Sequence, residues 1–502
     1  MDSGPFLPET EALLVRGGDL RIAPDPLTGL SMYGCGARPD PGLVQLGSST
    51  ASVISARGQG AAAALRQTLL EQLRHHGPDQ VYARHATRQR AVLPLLCGCV
   101  PGDGVEAVLA ASGTDLHLLA ALWLQPQLTL MAAPEETGSG LPAALQGRHF
   151  NPLTAAGADV AKGMPVGGWH GELATLALRR GDGALLAADS VDADCRARAD
   201  TAAALGKRVL LVLTDVSKTG LIAPSIVAAL ELKRRWPGRV EVLVDACQFR
   251  LSARTLRAYL AQDCLVALTG SKFVSGPTFC GLLLVPPALA ARHRGTALAP
   301  GAQAYSCAAD WPAAWRAGAS LAPGANFGLL LRWEAAIAEL RAFCAVPDSF
   351  AAAFLRSFGQ AVRRRLEDQA CFETLPAAPL RRAALFRDEP GAHRDGGWDE
   401  LQSIFPFVLY APGAAGRRPL AREETLRLYR GLRQAGADGR RFLLGQPVAC
   451  GEREGVPVSA LRIGASAPMI AGTYGNGAAD AAIADALAAL DRIAAVIANA
   501  TP

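Results

Sequence analysis

The chain has 502 residues, half of them hydrophobic and 19% charged, with a net charge of +5. That balance suits a globular protein with room for more than one domain, and without a basic block nucleic acid is not an expected partner. No apolar run is long enough to span a membrane, the first residues lack a basic head before an apolar core, and the 11 scattered cysteines form no C-x-x-C, so a membrane span, a secretory signal and a metal knuckle are not expected.

In chain order, residues 60–75 and 104–124 predict helices, and 139–172, rich in Gly, Pro and Ala, predicts a long loop. "KRVLLVLTDV" (207–216) predicts a buried strand, "PSIVAALELKRRW" (224–236) a helix with Pro at its start, and "VEVLVD" (240–245) a second strand. "LSARTLRAYLAQ" predicts another helix, followed by strands in "CLVALTG" (264–270) and "CGLLLVP" (280–286). The alternation of apolar strands with helical patterns predicts an α/β fold with a mainly parallel sheet covered on both faces. The last two strands lie too close for a crossover helix, so one of them is expected to run antiparallel. A long helix is expected from about 327, with helical pattern to about 366, short strands in "FPFVLYAP" and "SALRIGAS", and an amphipathic helix over 478–499. A domain boundary is expected near 330.

Three short stretches carry chemistry. "SKFVSGP" follows a strand and puts Lys272 among small and hydroxylated residues. Asp245 ends a strand in "VDACQ", where open α/β sheets place their ligands, although an aspartate there also suits a helix N-cap. Ser112, Gly113 and Thr114 precede an apolar helix, and a helix start of that kind either cradles a phosphate or is simply capped by Thr114 or Asp115. Together they form the set that pyridoxal 5'-phosphate needs: a helix start for its phosphate, an anion for its pyridine nitrogen and a lysine for its aldehyde.

At this point the sequence resembles the class V aminotransferase and cysteine desulfurase family of pyridoxal-phosphate fold type I, from about residue 44 to 475 and most strongly between 105 and 285. The family's Ser-Gly-Thr-Glu phosphate segment is matched by Ser112-Gly113-Thr114-Asp115, and its Asp-x-x-Gln/His by Asp245 and Gln248. Its Ser-x-His-Lys segment is matched by Thr269-Gly270-Ser271-Lys272, followed by Gly276-Pro277. The resemblance implies that Thr269 and Ser271 touch phosphate, that Lys272 carries the cofactor as a Schiff base and that Gln248 lies near the ring hydroxyl. "DVSKTG" (215–220) matches the Asn-Glu-x-Gly turn, putting Ser217 near the cofactor, and "LGSSTAS" (46–52), with Ser49, matches the substrate side. "SALRIGAS" matches a late segment whose arginine, here Arg462, grips the substrate carboxylate; as a plain sequence feature it could equally be a surface strand residue.

The match has departures. The turn that supplies a stacking histidine in relatives reads "APEETGSG", placing Thr137 there, with His149 and His170 in the following loop as other candidates and His117 expected to be a packed or surface residue. The dimer-contact turn, often Gly-Thr, is Gly324-Ala325. For the reaction, transamination by a class V-type aminotransferase is the favoured expectation; desulfuration or C–S elimination is the alternative, with Cys450 as sulfur acceptor, although "GQPV" beside it suggests a strand. Other cysteines, Cys371 and Cys280, are expected to be structural. The resemblance further implies a large cofactor domain (51–330) with a seven-stranded-type sheet, a small C-terminal α/β domain (331–502), and an amino-terminal segment (1–50) joining the small domain. It implies as well a cytoplasmic homodimer acting on an amino acid, with no metal, its pocket shaped by 139–172 and an insertion near 377–400.

Overall fold

The computed structural model describes residues 7–386, 397–413, 416–436 and 438–499. Residues 387–396 of the expected pocket insertion lie outside the described residues.

After β1 (Leu43–Leu46), eight strands follow: β2 (Glu106–Ala110), β3 (Leu128–Ala132), β4 (Glu172–Leu176), β5 (Val209–Asp215), β6 (Ile222–Ala223), β7 (Val240–Asp245), β8 (Leu265–Thr269) and β9 (Gly281–Val285). They form one sheet in the order β2-β9-β8-β7-β5-β3-β4, with the two-residue β6 pairing β5. β4, β3, β5, β7 and β8 run parallel, and β9 is antiparallel to both its neighbours, as the short connection before it requires. Every residue of β5 is buried, and its side chains alternate between two apolar clusters. Val209, Leu211 and Leu213 join one cluster; Leu210 and Val212 join the other. Period-two alternation into two separate cores is what a sheet covered on both faces demands. Each such fully buried side chain contributes roughly 1.5–3 kcal/mol.

A second sheet is built from β1 and the later strands β10 (Phe372–Thr374), β11 (Ile404–Gly413), β12 (Gly416–Pro419), β13 (Arg441–Arg453) and β14 (Val456–Gly464). Its order is β1-β13-β14-β11-β10, with β12 on β11. β1 pairs in parallel with β13, Leu43–Leu46 lying beside Arg441–Leu444. The helix Asp348–Glu367 and the helix Ala479–Asn499 share this sheet's apolar cluster. Leu7, Leu13 and Leu14 of the amino-terminal segment instead pack into the core of the first sheet.

One sequence expectation is corrected. Residues 104–124 are not one helix: Glu106–Ala110 form β2, and the helix starts only at Gly113. "EAVLA" has helix-compatible residues, but pairing with Gly281–Val285 and burial at the sheet fix it as a strand. The helix Pro78–Leu96, for which no expectation stood, packs behind it. Among the described residues no helix is long and apolar enough to cross a membrane.

Candidate active site

The carboxyl ends of β5, β7 and β8 and the start of the Gly113–Leu124 helix meet at one cavity of about 470 Å³. Ser49, Ser112, Gly113, Thr114, Thr137, Ser217, Asp245, Gln248, Thr269, Lys272 and Arg462 all line it. Ser271 does not: it is fully buried and its hydroxyl has no hydrogen-bond partner. Neither His149 nor His170 lines the cavity; His149 Nδ1 lies 2.6 Å from the Tyr305 hydroxyl, and His170 is exposed. Gly324 and Ala325 border a different cavity of about 900 Å³.

The anion-binding end is a helix start. Ser112 is the N-cap, its hydroxyl accepting from the Asp115 amide at 3.2 Å and donating in turn to the Asp115 carboxylate. Burial, then the nearby Asp19 carboxylate, push the Asp115 carboxyl up to about 7. The Gly113 and Thr114 amides, first in the helix, have no carbonyl to bond within it and point out of its positive end. Gly113 is required by close approach: a Cβ there would come within 2.9 Å of Cys247 Sγ and 3.0 Å of Thr269 Cγ2. The Thr269 hydroxyl donates to the Cys247 carbonyl at 2.6 Å, so it can offer a ligand only its lone pairs.

At the sheet edge, Asp245 Oδ1 accepts from the Cys247 amide at 3.2 Å. Its Oδ2 lies 3.8 Å from His117 Nε2, the nitrogen of a fully buried ring. His117 Nδ1 is 2.6 Å from the Gly113 carbonyl, one helical turn back, and a carbonyl can only accept. The histidine expected to be a packed or surface residue therefore lies between the two halves of the site. Its signal was present: one imidazole in an otherwise apolar helical run, "LHLLAALWL". The Lys272 amine makes no hydrogen bond or salt bridge among the described residues, and the side chain is half-buried.

The turn after β5 starts at Val216, whose φ of +64° is a left-handed conformation that costs a β-branched residue roughly 1–3 kcal/mol. That reversal aims Ser217 and Lys218 at the cavity. The Ser217 hydroxyl is nonetheless engaged within the wall, donating to Glu136 Oε2 at 2.7 Å and accepting from the Thr219 and Leu221 amides. Glu136 is also held by Arg179 at 2.8 Å and by the Thr219 hydroxyl. The Lys218 amine donates to the Pro134 carbonyl at 3.1 Å. Burial, then Arg462 and Lys272, lower it to about 8.

On the opposite side the second sheet supplies Arg462, in β14. Its guanidinium donates to the carbonyls of Ser49 (3.4 Å) and Lys218 (3.3 Å), to the Thr50 hydroxyl (2.8 Å) and to the Gln446 carbonyl. No carboxylate pairs with it among the described residues, Nε has no partner, and burial lowers its pKa to about 10. Gly445 makes room, since a Cβ there would sit 2.5 Å from Ser49 Oγ. Gln248 Nε2 donates to the Ser49 carbonyl at 3.0 Å, tying the two sheets across the cavity. Cys450 lies within β13 itself, buried in a small apolar cluster and absent from the cavity wall, and burial pushes its thiol up to about 11. As the neighbouring "GQPV" suggests, Cys450 lies in a strand, at an irregularity in the pairing with β14 between Ala449 and Glu452.

One residue was out of reach of sequence reading. Arg21 comes from the amino-terminal segment and donates from Nη1 to Thr114 Oγ1 at 3.0 Å and from Nη2 to Ser112 Oγ at 3.1 Å. Met32 and Tyr33 of the same segment also line the cavity.

No protein-family model matches the sequence, and no curated protein does. Solved structures do match. A NifS-like protein from Rickettsia africae aligns over 90% of this chain and 99% of its own, with a TM-score of 0.52 at 9% identity. The cystine C-S lyase C-DES, solved with its reaction product cysteine persulfide, aligns over 90% and 98%, with a TM-score of 0.52 at 13% identity. The cysteine desulfurase CsdA from Escherichia coli aligns over 91% and 96%, with a TM-score of 0.51 at 14% identity. At such identities the likeness establishes the fold, and that fold is pyridoxal-phosphate fold type I, a large α/β assembly with mixed sheets.

Proposed function

We propose that the chain is a pyridoxal-phosphate-dependent enzyme acting on an α-amino acid, and that its reaction is elimination at a carbon–sulfur bond rather than transamination. The single observation that carries the cofactor reading is the convergence of Lys272, Asp245 and the Ser112–Thr114 helix start on one cavity. The residues fit the group on a further count. Ser49 Oγ, Thr214 Oγ1, Gln248 Oε1 and Arg462 Nε all belong to cavity-lining residues and are buried with no hydrogen-bond partner. Unpartnered buried polar atoms are costly, at roughly 1–3 kcal/mol each, and a polar ligand would relieve them.

In this reading the Thr114 hydroxyl and the Gly113 and Thr114 amides would hold phosphate, at the helix start that the Ser112 cap fixes. Asp245, 3.8 Å from His117, would hold the pyridine nitrogen, and the unpartnered Gln248 Oε1 would serve the ring hydroxyl. When bound, the cofactor supplies an electron sink that weakens the bonds to the substrate's α-carbon. This chain's residues do the remainder. Arg462 would meet the substrate carboxylate with its unpartnered Nε and its charge, the Ser49, Lys218 and Gln446 carbonyls and the Thr50 hydroxyl fixing the guanidinium plane. The Lys272 amine, free of hydrogen-bond partners, would take the proton from the α-carbon and pass it to the sulfur as the carbon–sulfur bond breaks. Thr137 lines the wall with its hydroxyl 3.5 Å from the Ala133 carbonyl.

The choice of C–S elimination is supported by the described activities of the fold neighbours, a C-S lyase and a cysteine desulfurase. The burial of Cys450 in β13 speaks for sulfur leaving on the product, as cysteine persulfide does in the C-DES complex, and against transfer to a thiol at that position. Incubating the cofactor-loaded protein with cystine or cysteine tests this. Release of sulfide or persulfide with pyruvate is expected. A keto acid that retains the sulfur, formed only with an amino acceptor, would instead establish transamination.

A further inference from the structure

We propose that Arg21 is the cation that grips the phosphate of the cofactor, so that the amino-terminal strap of the same chain closes the phosphate end of the cavity. The inference rests on the cofactor reading above and goes beyond it in assigning a residue outside every motif of the fold.

Residues 15–42 form no helix or strand, yet they run from the helix Thr10–Leu14, docked in the first core, to β1 in the second sheet. Between those anchors the strap reaches the cavity at Arg21 and again at Met32 and Tyr33. Asp19, itself buried, fixes the guanidinium from one edge: Nε lies 2.9 and 3.0 Å from its two carboxylate oxygens, and Nη2 lies 2.6 Å from Oδ2. The rings of Phe279 and Phe150 lie 4.8 and 5.3 Å from the guanidinium carbon. The remaining edge meets Ser112 Oγ and Thr114 Oγ1, the two hydroxyls at the helix start.

A salt bridge that merely fastened the strap would need only Asp19. Presenting the other edge to a helix N-terminus puts a cation against the positive end of a helix dipole, which is unfavourable without an anion between them. Neither local carboxylate lies between the guanidinium and the helix start. Asp19 is already bound edge-on, and Asp115 is turned to the Ser112 hydroxyl, with burial and Asp19 holding its carboxyl up to about 7. A dianionic phosphate would accept from Arg21, from the Thr114 hydroxyl and from the helix amides at once. The unpartnered, buried Thr214 and Gln248 atoms in the same wall mark the space beyond as one for a polar ligand.

The test compares two ligands that differ only in the phosphate. The protein freed of cofactor is titrated with pyridoxal 5'-phosphate and with pyridoxal, in the wild type, Arg21→Ala and Arg21→Lys, following the absorbance of the bound ring. Arg21→Ala should weaken pyridoxal phosphate about 10- to 100-fold and leave pyridoxal within about twofold, with Arg21→Lys between. Equal affinity for pyridoxal phosphate in wild type and Arg21→Ala, or equal loss of both ligands, would overturn the proposal. Hydrogen exchange of the wild type covers the case in which Arg21→Ala does not fold. Pyridoxal phosphate should protect the strap amides and pyridoxal should not, and equal protection by both would overturn the assignment. A wild type that binds neither ligand would remove the cofactor reading and this inference together, whereas phosphate-blind binding removes only the inference.

Discussion

Two adjacent strands of the first sheet, β5 and β7, both end in aspartate, at Asp215 and Asp245, and the two ends are finished in opposite ways. Asp215 is fully buried and saturated: Arg382 donates to both its oxygens, and the Tyr259 hydroxyl donates to Oδ2 at 2.6 Å. Asp245, one strand over, has one amide, a histidine at 3.8 Å and an open cavity. The arginines repeat the contrast. Arg382 has its carboxylate, while Arg462 is equally buried and has only carbonyls and a hydroxyl. A charge satisfied by the protein belongs to the scaffold; a buried charge that lines the cavity without a counter-charge is open to whatever the cavity holds.

Substitutions should separate the two ends, beginning with the largest effect. Arg382→Ala strands a buried carboxylate and should lower stability by about 3–5 kcal/mol in chemical denaturation. Asp245→Asn should change stability by less than about 1 kcal/mol yet slow catalysis ~100-fold or more, since it removes a charge aimed at the reacting system. If both variants unfolded alike, the contrast would be broken. Arg462→Lys keeps the charge and loses the fork, so the KM for the amino acid should rise about 10- to 100-fold while the fold survives.

Lys218 sharpens the picture through pH. Burial and the neighbouring cations lower its pKa to about 8, so in the protein without ligand the folded state binds fewer protons than the unfolded one between about 8 and the ordinary lysine value of 10.5. Stability from this group is therefore gained as pH rises through that window, and its charge is a burden below it. Lys218→Met should stabilise the cofactor-free protein most below pH 8, with the gain fading toward pH 10.5. A gain independent of pH would contradict the assignment. Cys450→Ser should have the smallest effect, within about twofold in sulfur release, because the thiol lies in a strand outside the cavity; loss of release would restore it as the acceptor.

What the sequence made legible follows from chain locality. The strands of the parallel sheet are continuous apolar runs, and Asp245, Lys272 and Ser112 sit within a few residues of strand or helix ends, so pattern and spacing point to them directly. β2 was misread because five short residues carry little periodicity, and only pairing with β9, some 170 positions on, decides their state. Arg21 was invisible for a stronger reason: its partner Thr114 is 93 residues away, and nothing in a turn-rich segment marks one arginine as turned inward. His117 falls between, since its isolation in an apolar helix could be seen while its neighbour Asp245 could not. The Ser217 hydroxyl, expected near a ligand, is taken by Glu136, a contact between the turns after β3 and β5 that no local pattern encodes.

The central claim is that Lys272, and not its neighbour Lys218, bonds covalently to pyridoxal phosphate. Loading the protein with cofactor, reducing with borohydride and mapping the modified peptide by mass spectrometry tests it most directly. The expected result is a bleached yellow band and one pyridoxyl group, on the peptide containing Lys272. A protein that stays colourless, or a label on Lys218 in its place, would contradict the account.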